Sequence, residues 1–307
     1  MRSYLIRRLW QAPIVLWVLV TLAFFLMRLA PGGPFDEERD LPPAVEQALA
    51  AKYHLDEPVW QQYARFLGDL LQADLGPSFS QPDTPVTRII LTYLPPSLLL
   101  GTLALALALS GGLMAGLVAA NRRGGIIDWG TMAVALVGLS MPPFVIGPVL
   151  VLLCSIWAGW LPPAGYDGWD PRLLLLPAVT LALPFAGRIA RLSRAGLLEV
   201  LHQDYIRAAE AKGLPRWRIV LVHALPGGLQ PVLGFLGPAV ASLLTGSLVV
   251  ELIFEVPGLG RVFVESALAR DYTLVMGTVL VYGLFLIVAN LLTDLAYGLL
   301  DPRIRLA

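Results

Sequence analysis

Charge is what this 307-residue sequence has least of: only 14% of its residues are Asp, Glu, Lys or Arg, where a soluble domain carries about 25%. That scarcity, together with 57% apolar residues and a mean hydropathy of +0.71, argues against a water-soluble enzyme. Excess base is also missing, since 22 basic residues balance 22 acidic ones, so nucleic acid is not an expected partner. Cysteine occurs once, as Cys154 inside an apolar run, which excludes a disulfide framework and a thiolate metal site. The only lysines are Lys52 and Lys212, and neither follows a G-x-x-x-x-G-K-[ST] phosphate loop, so the chain cannot itself be an ATPase motor. Its histidines, His54, His202 and His223, are scattered without H-E-x-x-H spacing. No metal site, resident cofactor or catalytic residue is expected.

What the sequence does have is long apolar runs. They fall at Leu9 to Phe25 (ending near Arg28), Ser97 to Ala120, Gly130 to Trp157, Leu173 to Ala190, Gly228 to Phe254 and Leu274 to Leu299. Each is long enough to cross a bilayer as a helix. The first is longer than the apolar region of a secretory signal and exits through Arg28-Leu29-Ala30-Pro31-Gly32-Gly33, so it reads as an uncleaved span. The expected fold is an all-α polytopic membrane protein of about six transmembrane helices. Placing both termini inside puts 14 of the 22 Lys and Arg residues on the inner side and leaves ten acids against four bases in Pro31 to Pro95. This N-in, C-in arrangement satisfies the positive-inside bias. The expected organisation is a first span (1–30), an outer helical segment (31–95), a membrane core (96–300) and a short inner tail (301–307). Proline pairs at Pro95-Pro96, Pro142-Pro143 and Pro162-Pro163 are expected near span ends or at kinks.

Two segments between spans have helical patterns of their own. In the outer one, Asp56-Glu57-Pro58 supplies a helix start, and Trp60, Tyr63, Ala64, Leu67, Leu70 and Leu71 follow at helical spacing. Such a subdomain either packs over the span ends or meets an external protein. In the inner one, Arg188 to Pro226, seven bases stand against three acids. Helical spacing continues through Leu197, Leu198, Leu201, Tyr205, Ala208 and Ala209, Gly213 breaks it, and Pro215 suits the next first turn. The pattern predicts helix, sharp turn, helix within about 196–226. A face of Ala208, Ala209 and Ala211 would let another protein approach closely. The alternative is a surface helix held to anionic lipid through Arg207, Lys212, Arg216 and Arg218.

Small residues and two acids complete the candidates. Gly138-Leu139-Ser140 reads as helix packing, because no histidine or lysine falls in any predicted span to activate the serine. Glu251 and Asp294 lie toward opposite membrane faces and are expected to have local partners rather than to form one proton-coupling centre. Pro257-Gly258-Leu259-Gly260 suits a tight outer turn or re-entrant corner.

Arg207-Ala208-Ala209, Gly213 and Leu225-Pro226 resemble the EAA loop of binding-protein-dependent ABC importers, with Arg207 in place of the motif's Glu and His223 in place of its Ile. The rest of the chain resembles the peptide branch of that superfamily, through Tyr4-Leu5-Ile6-Arg7-Arg8, Arg28-Leu29-Ala30-Pro31-Gly32 and Asp74-Leu75-Gly76-Pro77-Ser78-Phe79. The match continues through Asp204 to Leu214, Pro257-Gly258-Leu259-Gly260, Arg270-Asp271-Tyr272 and Asp301-Pro302-Arg303. In order, these segments look like the first permease subunit of an oligopeptide importer. The resemblance implies a second, similar permease, two cytoplasmic ATPase subunits that bind ATP and Mg, an external peptide-binding protein and a bacterial inner membrane. It also implies that Tyr205, Arg207, Ala208, Ala209, Gly213, Leu214 and Pro215 form the coupling site for an ATPase. Pro257, Gly258 and Gly260 would shape the outer mouth, and Gly138, Ser140, Gly246 and Ser247 are candidates for the substrate path. Similar permeases carry dipeptides, nickel or small saccharides, and a secondary transporter without an ATPase is the alternative outside the family.

Overall fold

The computed structural model describes residues 2–29, 51, 53–81, 84–168 and 170–300. Expectations on Ala30 to Gly33, on Asp301-Pro302-Arg303 and on the tail 301–307 lie outside the described residues.

The described chain is built from helices: α1 (Arg2–Leu29), α2 (Val59–Leu71), α3 (Val86–Asn121), α4 (Ile126–Ser140), α5 (Pro143–Trp157), α6 (Pro171–Leu201), α7 (Asp204–Ala211), α8 (Arg216–Gly228), α9 (Gln230–Leu244), α10 (Leu248–Ile253), α11 (Leu259–Leu268) and α12 (Tyr272–Leu300). Four of them, α1, α3, α6 and α12, are long and apolar enough to cross a membrane alone. The pairs α4–α5 and α8–α9 bring the number of candidate spans to six, with bends of 112° and 55°.

The third span departs from the expected single helix between Gly130 and Trp157. Met141 precedes a proline and takes the extended conformation this position favours, with φ −83° and ψ 128°. Pro142 is also extended, and Pro143 then opens α5 as its first residue. Two arms therefore replace one rod, the second ending in a π-helical turn over Val151–Trp157. Pro95-Pro96 behaves differently. It lies inside α3, which starts eleven residues before the expected Ser97 and continues through the pair to Asn121. The fifth span also departs from expectation: its helix stops at Leu244 rather than Phe254. Gly246 takes a left-handed φ of +84°, which glycine adopts without steric cost, and the chain re-enters as the short helix α10.

The central helix is α6, which packs against α3, α4, α5 and α9. Its core contributions Leu176, Ala178, Leu181, Ala182 and Ile189 meet Leu100, Ala104 and Ala108 of α3, with Val232 and Leu243 of α9. Because lipid tails are as apolar as these side chains, packing must come from close approach rather than escape from solvent. The approach is close: a Cβ on Gly116 would lie 1.8 Å from Ser193 Oγ, and one on Gly187 would lie 2.3 Å from the Ala135 carbonyl oxygen. At one end of the molecule, which we call the basic end, Ala120 of α3 packs with Leu197 and Val200 of α6 and Ile206 of α7. At the opposite end, Val86, Ile89 and Ile90 of α3 pack with Leu259, Val262 and Leu274.

Helix α2 lies at that opposite end. Its Tyr63, Phe66 and Leu70 pack over Val20, Phe24 and Met276, and Arg28 reaches from α1 to Gln62 Oε1 with two hydrogen bonds of 3.0 and 2.9 Å. The expected face is only partly used, since Trp60 and Leu71 are exposed.

Candidate functional site

At the basic end, α6 stops at Leu201 and His202-Gln203 turn the chain into α7. Ile206 and Ala209, three residues apart and therefore on one helix face, are buried against Leu197, Ile219 and Ala224. Tyr205, Arg207, Ala208, Ala211 and Lys212 are exposed. Ala209 is thus a correction to the expected alanine face: it anchors α7 to its own spans, and Ala208 and Ala211 alone present small side chains outward. Among the described residues Arg207 pairs with Asp204 of its own helix, at 3.4 Å with both groups exposed, a pair worth about 0.3–0.5 kcal/mol at most.

The turn after α7 is fixed by backbone geometry. Gly213 sits at φ +72°, its N–H donates to the Glu210 carbonyl at 2.9 Å, and the Leu214 N–H donates to the Ala209 carbonyl at 3.3 Å. This is a Schellman closure, with Leu214 as its apolar contact against the α7–α8 cluster. Pro215, extended at φ −65° and ψ 144°, caps the start of α8. The seven coupling candidates between Tyr205 and Pro215 therefore lie on one corner closed by backbone hydrogen bonds. Below it, Arg194 of α6 grips Asp128 of α4 with a two-pronged ion pair, Nε to Oδ1 at 2.6 Å and Nη2 to Oδ2 at 2.7 Å. The Gly124 N–H adds a third contact to Asp128 at 2.9 Å. Arg194 is one of the seven bases of the inner segment Arg188 to Pro226; its partner Asp128 lies 66 residues away, with no local pattern to announce it.

At the opposite end, Gly246, Ser247, Gly258 and Gly260 converge on Glu251. Its carboxylate is 0% exposed and accepts from Ser97 Oγ at 2.7 Å and from the Arg261 N–H at 2.8 Å. Ser97 Oγ in turn accepts from the Leu259 N–H at 2.8 Å. An acceptor-only side chain suits this ring of donors. The glycines are required by space: a Cβ on Gly246 would lie 2.2 Å from Glu251 Oε1, and one on Gly258 would lie 2.1 Å from Glu251 Cδ. Pro257 is half-buried beside them. The corner is thus a short helix, a carboxylate nest and a second helix, rather than a simple turn between two spans. Arg261 pairs with Glu265 along α11 at 2.6 Å, and that carboxylate holds its guanidinium above the usual range.

The same end joins two of the sequence's recognisable segments. Asp271 caps α12 through the Leu274 N–H at 3.0 Å and also accepts from the Ser78 hydroxyl and, at 3.0 Å, from the Ser80 N–H. Thr273 Oγ1 donates to the Pro77 carbonyl at 2.6 Å. An Asp just before an apolar helix is a legible cap signal, but its tie to Ser78 is tertiary. Gly138 and Ser140 stand apart from both ends: Gly138 is buried with the Leu183 carbonyl 3.2 Å from an added Cβ, and Ser140 is exposed just before the bend.

Residues 112–306 match the family described as binding-protein-dependent transport system inner membrane component. The chain belongs to this family. Over its whole length it is similar to the oligopeptide transport system permease protein OppB of Haemophilus influenzae, 43% identical over 99% of this chain and 100% of that protein. It is equally similar to the dipeptide transport system permease protein DppB of Bacillus subtilis, 43% identical over 100% of this chain and 99% of that one. Among solved structures, an inward-facing form of the MetNI methionine ABC transporter shares the fold, with a TM-score of 0.53, 20% identity, and coverage of 69% of this chain and 96% of that chain. A crystal structure of an amino acid ABC transporter with histidines gives a TM-score of 0.52 at 19% identity, covering 68% and 92%. The family match runs from within α3 through α12 and so includes both the α7 corner and Glu251 with its glycines. A multi-pass membrane subunit of a transport system is thus the frame in which both sites act.

Proposed function

We propose that this chain is one of two permease subunits of an ATP-driven oligopeptide importer in a bacterial inner membrane. The observation that carries the reading is its end-to-end similarity to peptide permeases. The exposed, glycine-closed α7 corner supports a docking role. In this reading both termini and α7 are cytoplasmic, in agreement with the positive-inside bias. A separate ATPase subunit binds ATP and Mg and receives α7 through Tyr205, Ala208 and the Gly213 turn, while Ala209 ties the helix to α6 and α8. This chain then needs no cofactor of its own.

The opposite end faces a peptide-binding protein, with Pro257, Gly258 and Gly260 shaping the α10–α11 corner at the outer mouth. The second permease completes the pathway. Ser140, exposed beside the 112° bend, remains a path candidate. Gly138 instead supports the close approach of α4 to α6, and Gly246 and Ser247 wall the Glu251 nest. Coupling is a population shift: nucleotide binding to the ATPases favours one permease arrangement only through contacts that differ between the two arrangements. A rigid helix at the α6–α8 junction is suited to carry that difference into the spans. Dipeptides are the second reading, favoured by the Bacillus subtilis relative.

The test is uptake of labelled dipeptides and of tri- to pentapeptides in cells lacking only this gene and any redundant importer. Restoration by the wild-type chain but not by Gly213→Pro supports both substrate class and coupling role. Unchanged peptide uptake in the deletion strain overturns the substrate assignment, and failure of an ATPase to copurify overturns the coupling role.

A further inference from the structure

Between the end of α3, the start of α4, the end of α6 and the α7–α8 corner lies a cleft of about 570 Å³. Its polar lining is Asn121, Arg122, Arg123, His202, Glu210 and Arg216, so three guanidiniums share it with one carboxylate. Two of those guanidiniums have side-chain contacts in the cleft: Arg123 lies 2.9 Å from His202 Nε2, and Arg216 donates to Asn121 Oδ1 at 3.1 Å. Among the described residues none of the three forms an ion pair. Arg122 and Arg123 follow the last turn of α3, where its carbonyl dipoles favour cations. Arg216 comes from a different element, 95 residues from Asn121, and that dipole does not account for its place in the cleft.

The flanks of the cleft indicate where it sits. Ile126 is 91% exposed and Trp129 75% exposed on the first turn of α4, and Trp217, next to Arg216, is 64% exposed. Exposed tryptophans beside basic side chains at the ends of apolar spans are the pattern of a membrane interface. Arginine forks pair with phosphate oxygens in two-pronged geometry, and basic pockets between spans on the cytoplasmic side take anionic headgroups. We infer that this cleft binds the phosphodiester headgroup of an anionic phospholipid, gripped by Arg122, Arg123 and Arg216 beside the coupling helix. The leaflet assigned to that lipid, the inner one, rests on the orientation proposed above. Glu210, on α7 itself, faces the same cleft, so an occupied cleft would bring a lipid phosphate against the helix that docks the ATPase.

The test is native mass spectrometry of the intact detergent-purified transporter, titrated with phosphatidylglycerol or phosphatidylcholine. Expected is preferential retention of phosphatidylglycerol by the wild type, weakened about 25-fold by Arg122→Gln/Arg123→Gln, roughly fivefold per guanidinium. Arg191→Gln/Arg218→Gln removes the same charge outside the cleft lining and should retain the lipid as wild type does. Equal retention by the two double variants overturns the site. Displacement of phosphatidylglycerol by excess inorganic phosphate overturns the lipid as occupant in favour of a soluble anion. If Arg122→Gln/Arg123→Gln lowers the thermal midpoint of the complex, Arg216→Gln repeats the test from the other wall, and wild-type retention by it overturns the proposal. Lipid retention is read without peptide transport, so its failure is distinct from failure of the proposed substrate.

Discussion

Replacing Gly258 with Ala isolates the energetics of the carboxylate nest. Gly258 has φ −107° and ψ 166°, an extended conformation open to any residue, so alanine brings no backbone strain and the whole cost is steric. Its methyl would lie 2.1 Å from Cδ of Glu251 and 2.2 and 2.5 Å from the two carboxylate oxygens. Glu251 is fully buried, so its carboxylate cannot swing into solvent; it must leave the Ser97 hydroxyl and the Arg261 N–H. Two hydrogen bonds to a charged group at about 1.5–3 kcal/mol each give an expected loss of about 3–6 kcal/mol. A Glu251→Ala background removes the three atoms that crowd the added methyl, so there the same substitution should cost less than about 1 kcal/mol, a non-additivity of about 2 kcal/mol or more. The assay is a double-mutant cycle on unfolding free energies in mixed micelles. Equal cost of Gly258→Ala in both backgrounds, or no cost in the wild type, would refute the reasoning.

Three further outcomes are expected. Asp128→Asn, which leaves the Arg194 guanidinium half-paired at a 4% exposed carboxylate position, should destabilise the chain by about 3 kcal/mol, and Arg194→Lys, lacking the fork, should recover only part of the pair; thermal midpoints of both variants check this. Gly213→Pro cannot adopt φ +72° and also removes the N–H bonded to Glu210, costing about 3 kcal/mol at the corner, whereas Gly213→Asn, tolerant of that conformation, should keep most transport in an uptake assay. Ala208→Trp should abolish ATPase copurification while leaving the thermal midpoint unchanged, and Ala209→Trp should instead lower the midpoint, because only Ala209 is packed inside. Identical behaviour of the two would count against the assigned faces of α7.

The sequence determined the solvent in which this protein folds: runs of about twenty apolar residues with few charges can satisfy their backbone in lipid only as helices. It also determined the local punctuation that needs no distant partner. Asp56-Glu57-Pro58 before α2, Gly213 at the left-handed turn after α7 and Pro143 at the start of α5 act through their own backbone or that of adjacent residues. The tertiary structure alone decided which prolines break a helix. Pro142-Pro143 does so at 112°, while Pro95-Pro96 is carried through α3, where Pro96 and Ser97 are buried among neighbouring helices. Only the tertiary structure sorted Ala208 from Ala209, since a helix shows which residues share a face but not which face its spans will cover. Glu251 marks the limit most sharply. Its residue type suggested a partner near it in space, such as an inter-helix hydrogen bond, and Ser97 supplies one; but Ser97 lies 154 positions away in the chain, and which group fills that role is specified by the packing of α3 against the α10–α11 corner rather than by any pattern along the sequence.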